Sequence, residues 1–202
     1  CHRKITLRYY DYDAERKIIA NNINVYLIDA PNVFVGSRET PIFDVPKIGI
    51  GNKPVDGGNY LFTKEEMEVF LKDEPEAAKY FHPFYGAFEF IHRQPRYCLW
   101  LGECSPSELR KMPLCMKTIE AVRKFRLASK SPGTIKLAER PTRFHVENMP
   151  KGNFIVIPQV SSQNRRYIPM GYMDNSVICS DKVRLMPQGT LYHFGVLESN
   201  VH

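Results

Sequence analysis

Apolar and β-branched residues cluster early in short runs: KITLRYYD (residues 4–11), NVYLID (24–29) and NVFVG (32–36). Runs of this length and composition predict β-strands. TPIFDVPKIGIGNKPVDGGNYLF (40–62) is punctuated by Gly and Pro and has little periodicity, so it predicts a long connection. The spacing then changes. Thr63 and Glu66 form a capping-box pair ahead of Met67, Phe70 and Leu71, which predicts a helix that Pro75 ends or kinks. RYCLWLG (96–102) predicts a buried strand with Leu99, Trp100 and Leu101 in the core. Ser105, Pro106 and Glu108 signal a second helix start, closed by Pro113.

LCMKTIEAVRKFRLAS (114–129) places Met116, Ile119, Val122 and Leu127 on one face of a helix, with Lys117, Arg123, Lys124 and Arg126 around the others. SKSPGT (129–134) predicts a loop and IKLAER (135–140) a short helical piece. The last third predicts strands throughout, in NFIVIPQV, RYIPMGYM, SVICS, VRLMP and TLYHFGVL. The polar stretch QVSSQNRRYIPMGY (159–172) lies between two of them as a hairpin connection. The pattern as a whole predicts an α/β (α+β) single domain with a β-rich C-terminal third and a basic amphipathic helix.

Composition agrees with a folded chain. Of 202 residues, 43% are hydrophobic and 25% charged, enough apolar surface for a core and too little net charge for disorder. No apolar run approaches the roughly 20 residues of a membrane helix, and the start lacks a signal-peptide pattern, which predicts a cytoplasmic protein without membrane contact. The first residue is Cys1 rather than Met, as expected of a piece of something longer. The five cysteines are unevenly spaced with no C-x-x-C pair, which predicts free thiols, and the spacing of His92, Cys98, Cys104 and Cys115 matches no standard zinc site.

Charge is unevenly placed. Residues 117–143 hold eight basic side chains against Glu120 and Glu139, while residues 63–76 hold six acids against Lys64 and Lys72. This polarity predicts one face that meets a polyanion and another turned to solvent. Catalytic motifs are missing by comparison. GIGNKPVDGGNY (49–60) fails the P-loop pattern because Pro54 follows Lys53, and no G-x-G-x-x-G opens a helix. Asn52, Lys53 and Asn59 nonetheless suit phosphate or base edges. Asp13, Glu15 and Lys17 lack the strand context of a metal-dependent nuclease, and His82, His92, His145 and His193 have no nucleophile motif beside them. No Asn/Asp-Pro-Pro-aromatic motif of amino-methyltransferases occurs.

Seven stretches, in order and at matching spacing, carry a family resemblance: YLIDAPNVFVGSR, PIFDVPKIGIGNKPVDGGNYLFT, RYCLWLGECSPSELRKMP, IEAVRKFRLASKS, TRFHVENMP, VSSQNRRYIPMGY and TLYHFGVLESNVH. Together they resemble the target-recognition region of MmeI-like (type IIL) restriction–modification enzymes. The resemblance covers residues 21–202 and leaves 1–20 as a connector from an upstream methyltransferase domain. It implies sequence-specific recognition of double-stranded DNA on behalf of a bacterial adenine-N6 DNA methyltransferase and restriction enzyme. The other readings are a nuclease or methyltransferase fragment active in its own right, and a non-catalytic protein-interaction module.

By motif position the resemblance makes Gln163, Asn164 and Arg165, with Lys130 and Ser131 near Gly133, the base readers. Arg123, Lys124, Arg126, Arg166, Lys53, Ser161 and Ser162 are the matching candidates for phosphate. Relatives often carry Glu where this chain has Gln163, so their target words do not transfer. The resemblance further implies no catalytic residue, metal or cofactor in this stretch. S-adenosylmethionine and Mg²⁺ belong to the parent enzyme, whose methyltransferase and nuclease domains are the expected partners in the same chain.

Overall fold

A computed structural model of the chain describes residues 7–10, 17–34 and 36–199. Two compact units emerge, Cys1–Val45 and Pro46–His202. In the first, β1 (Leu7–Tyr10) and β2 (Lys17–Ala20) pair antiparallel, with Leu7 opposite Ala20 and Tyr10 opposite Lys17. The rest of the first predicted strand (residues 4–6 and 11), together with Asp13 and Glu15, lies outside the described residues.

The strands expected at 24–29 and 32–36 are absent among the described residues, Val35 lying outside them. Asn24 is the physical reason for the first. Its Oδ1 accepts the backbone N–H of Tyr26 at 2.9 Å, its carbonyl accepts that of Leu27 at 3.0 Å, and Leu27 takes a left-handed φ of 60°. A side chain that supplies local acceptors competes with a strand ladder, and here it wins.

The larger unit holds two four-stranded sheets. Its elements run β3 (Gly49–Ile50), β4 (Leu61–Phe62), α1 (Lys64–Asp73), β5 (Phe81–Tyr85), α2 (Ala87–His92) and β6 (Arg96–Leu99). They continue through α3 (Pro106–Leu109), α4 (Pro113–Leu127), α5 (Pro132–Lys136), β7 (Phe154–Pro158), β8 (Gly171–Met173), β9 (Ile178–Cys179), β10 (Val183–Pro187) and α6 (Leu191–Glu198). One sheet has the order β4-β6-β5-β9 and the other β3-β10-β7-β8. All pairings are antiparallel except β5 with β9. Tyr60, Phe84, Leu99, Leu101, Met112, Cys115, Val122 and Ile178 form the core on the first sheet, and Phe154, Val156, Val183 and Leu185 that on the second.

The mixed helix and sheet content agrees with the α+β expectation, as do both predicted capping boxes. Other expectations need correction. TLYHFGVL is not a strand but α6, capped by Thr190, whose N–H and hydroxyl both meet His193 Nδ1. SKSPGT is not all loop, since Pro132 starts α5. Pro113, expected to close a helix, opens α4 as its first residue. Trp100 lies beyond the end of β6 and is only half-buried, packed edge-on against Phe144 at 4.8 Å, while Leu99 and Leu101 are fully buried.

The buried stripe of α4 is Cys115, Ile119, Val122 and Arg126, leaving Met116 and Leu127 exposed. Met112, the N-cap of α4, makes no side-chain cap. Glu74 does that work from across the fold: its buried carboxylate accepts the N–H groups of Leu114 at 2.6 Å and Cys115 at 3.0 Å. A carboxylate there also faces the positive end of the helix dipole. Glu74→Ala is therefore expected to cost about 2–4 kcal/mol in urea unfolding. An unchanged midpoint would mean that packing alone holds the first turn of α4.

Candidate nucleic-acid interface

β7 and β8 pair with Phe154 opposite Met173 and Val156 opposite Gly171, so residues 159–170 form the hairpin connection the sequence predicted. Residues 159–168 are exposed without a break. Gln159 pins the outgoing limb: its N–H donates to the Lys182 carbonyl at 3.1 Å and its Nε2 to that of Asp181 at 2.6 Å. At the tip, the Arg165 N–H donates to the Ser162 carbonyl at 3.0 Å and the Asn164 N–H to Ser162 Oγ at 3.2 Å. This turn puts Gln163 and Asn164 at its centre. Arg166 rests over the Tyr167 ring at 5.3 Å on the returning limb. Among the described residues, no side-chain hydrogen bond or ion pair engages Gln163 or the Arg165 guanidinium, so their donors and acceptors face solvent.

A second group gathers where α4 meets α5. Arg123, Lys124, Lys130 and Ser131 are exposed there, Arg123 lying 4.0 Å from Glu120. Arg126 must be withdrawn from the phosphate candidates. It is fully buried, and its guanidinium donates to the carbonyls of Pro54, Val55, Leu137, Arg140 and Arg143 at 2.8–3.0 Å. All five of its donors are used inside the protein. Burial pulls its pKa down, opposed by the neighbouring Tyr60 and Asp56.

The glycine-rich connection divides in the same way. Asn52 is buried, donating to the carbonyls of Asn148 at 3.2 Å and Cys179 at 2.9 Å and accepting the Asn148 N–H at 2.7 Å. Asn59 donates to the Asp56 carbonyl at 2.8 Å. Both are structural, against the expectation of ligand contacts. Lys53 bridges to Val146 through its backbone and keeps an exposed side chain.

The structure thus brings Ser161, Ser162, Gln163, Asn164, Arg165 and Arg166 onto one loop, and the remaining exposed cations of α4 and α5 onto one corner. Among the described residues no hydrogen bond or ion pair joins the two groups. It also displays a feature the sequence reading missed. At α2, Phe88 is 62% exposed and stacks on His92 at 4.1 Å, Arg93 follows in a left-handed conformation, and a cavity opens between this corner and β8. The interleaved aromatic and basic residues of FEFIHRQPR were the available signal. Among the described residues, no group of three or more His, Cys, Asp or Glu side chains could hold a metal, and no helix is long and apolar enough to cross a membrane.

The geometry has counterparts among known proteins. DNA methyltransferase A of Bacillus subtilis (strain 168) is 39% identical over 193 residues, which is 96% of this chain and 22% of that protein. The type IIL restriction–modification enzyme MmeI, solved in complex with DNA, matches in structure with a TM-score of 0.79 at 39% identity, over 96% of this chain and 26% of that one. The chain therefore spans only 22% and 26% of the lengths of these two relatives. The family model of the MmeI target recognition domain matches residues 29–202, and the chain belongs to that family.

Proposed function

We propose that this chain reads a double-stranded DNA word for a bacterial adenine-N6 DNA methyltransferase with restriction activity, residues 1–20 connecting it to the methyltransferase part. The observation that carries the reading is the exposed 159–168 limb, with Gln163, Asn164 and Arg165 around its tip. Arg offers two parallel donors to guanine O6 and N7, and Gln or Asn a donor–acceptor pair to adenine N6 and N7. Neither pairing is available to a loop whose polar groups are satisfied within the protein. Lys130 and Ser131 are assigned to base edges as well. Arg123, Lys124, Arg166, Lys53, Ser161 and Ser162 are assigned to phosphates, where they set register and salt-dependent affinity without reading sequence.

In this scheme the chain performs no bond chemistry. S-adenosylmethionine and Mg²⁺ act elsewhere in the parent enzyme. The role of this domain is to hold one register of the duplex against the neighbouring methyltransferase and nuclease domains.

The test is selection of bound words from a random duplex library. Gln163→Ala combined with Arg165→Ala is expected to relax preference at one or two base positions, by about 1–3 kcal/mol for each lost bidentate pair. If the double variant selects the same word with the same discrimination and merely binds everything more weakly, the two residues contact phosphate and the reading fails.

A further inference from the structure

We propose that the cavity between α2 and β8 receives a single unstacked nucleotide from the bound duplex, its base between aromatic rings and its phosphate on Arg93. The inference rests on the DNA-reading function proposed above. The cavity measures about 520 Å³ and is lined by Tyr85, Phe90, Arg93, Met170 and Tyr172 among others. That volume falls within the range of small-molecule sites, where a ring system and a few polar groups share the walls.

Three details favour a nucleotide over another occupant. The first is the rings. Tyr172 is 41% exposed and stacks through 5.7 Å on Phe194 at 21°, which fixes its orientation. Phe90 approaches the sheet so closely that a Cβ at Gly171 would lie 3.0 Å from its Cζ, so the glycine keeps that wall of the cavity open. Preset aromatic faces bind bases of any sequence by stacking.

The second detail is the cation. Arg93 ends α2 with φ 56°, its N–H donating to the Glu89 and Phe90 carbonyls, and its side chain is exposed. The nearby carboxylate of Glu89 is already taken by Arg96 Nε at 2.8 Å. Among the described residues, no carboxylate pairs with Arg93, which leaves it for a phosphate.

The third is position. Pro169 and Met170, the last residues of the 159–170 loop, form part of the cavity wall. A strand held by the loop tip runs past the opening, and this chain carries no methyltransferase motif that would otherwise claim an extruded base.

The experiment uses the full 202-residue chain and short duplexes containing its selected word, each with one bulged 2-aminopurine nucleotide at successive positions across and beside the word. At one position the bulged duplex is expected to bind at least about five-fold tighter than the paired one, the lower end of what one stacked base contributes. Fluorescence of the 2-aminopurine should be quenched there. Tyr172→Thr and Arg93→Asn should each bring the bulged-to-paired ratio back to near one; Asn tolerates the left-handed backbone at that position. Melting curves establish that at least one of the two variants is folded. No gain at any position with paired binding intact, or a gain that both variants keep, overturns the cavity assignment alone. Absence of all duplex binding overturns it together with the DNA-reading function.

Discussion

Arg126→Met should collapse the larger unit, or cost upwards of about 4 kcal/mol if the variant still folds. The guanidinium ties the carbonyls of Pro54 and Val55 to those of Leu137, Arg140 and Arg143, three stretches of chain that otherwise have few bonds to one another. Methionine fills much of the volume but donates nothing, so five partly buried carbonyls lose their partner together. Each such loss costs about 1–3 kcal/mol when water cannot replace the donor, against a total stability of about 5–15 kcal/mol for a domain. Arg126→Lys should fall between, because an ammonium with three donors cannot reproduce a planar fork. Urea unfolding followed by far-UV circular dichroism is the measurement. A wild-type midpoint for Arg126→Met would show that this network is ornamental.

Gly51→Ala is the second large effect, for a steric reason. A Cβ on Gly51 would stand 2.1 Å from the Ser180 carbonyl oxygen and 2.6 Å from that of Cys179, both backbone atoms. The neighbouring chain cannot yield without breaking the bonds that hold it. Those run from the Asn52 N–H to the Cys179 carbonyl at 2.7 Å and from the Asp181 N–H to the Asn52 carbonyl at 2.9 Å. Overpacking against fixed backbone exceeds the ordinary core penalty, so a loss of at least about 3 kcal/mol or insoluble expression is expected. Gly195→Ala is the control: it sits in α6 with nothing within 4 Å of the new Cβ and should leave the melting temperature unchanged or raise it. Equal behaviour of the two variants would refute the close-approach explanation.

What could be read from the sequence was what depends on local spacing. The starts of α1 and α3 follow from Ser or Thr three residues before Glu, and the body of α4 from its periodicity. The 159–170 loop stands out because polar residues interrupt two apolar runs. Misreadings arose where a residue type carried an unusual duty. Arg126 continues the buried stripe of Cys115, Ile119 and Val122 at helical spacing, but its charge argued for solvent. The α6 cap uses His193 in the place where Glu or Gln is the usual sign, and six apolar residues in eight leave no period to detect. The cavity beside α2 was out of reach for a different reason. Its walls come from residues 85–93 and 169–173, which meet only after both sheets have formed.

The two sheets also exchange strands, and this governs how the chain can fold as it leaves the ribosome. β3, made early, completes the sheet of the late strands by pairing with β10, while late-made β9 completes the early sheet by lying parallel to β5. Phe84 therefore waits for Ile178, and Ile50 for Arg184. Such distant pairings require large loops to close before any contact rewards them, so folding is slow and hydrophobic edges stay open meanwhile. Vectorial synthesis gives this domain no head start. Nearly all of it must be in hand before either half is finished, and a nascent chain stalled before β9 is a natural client for chaperones.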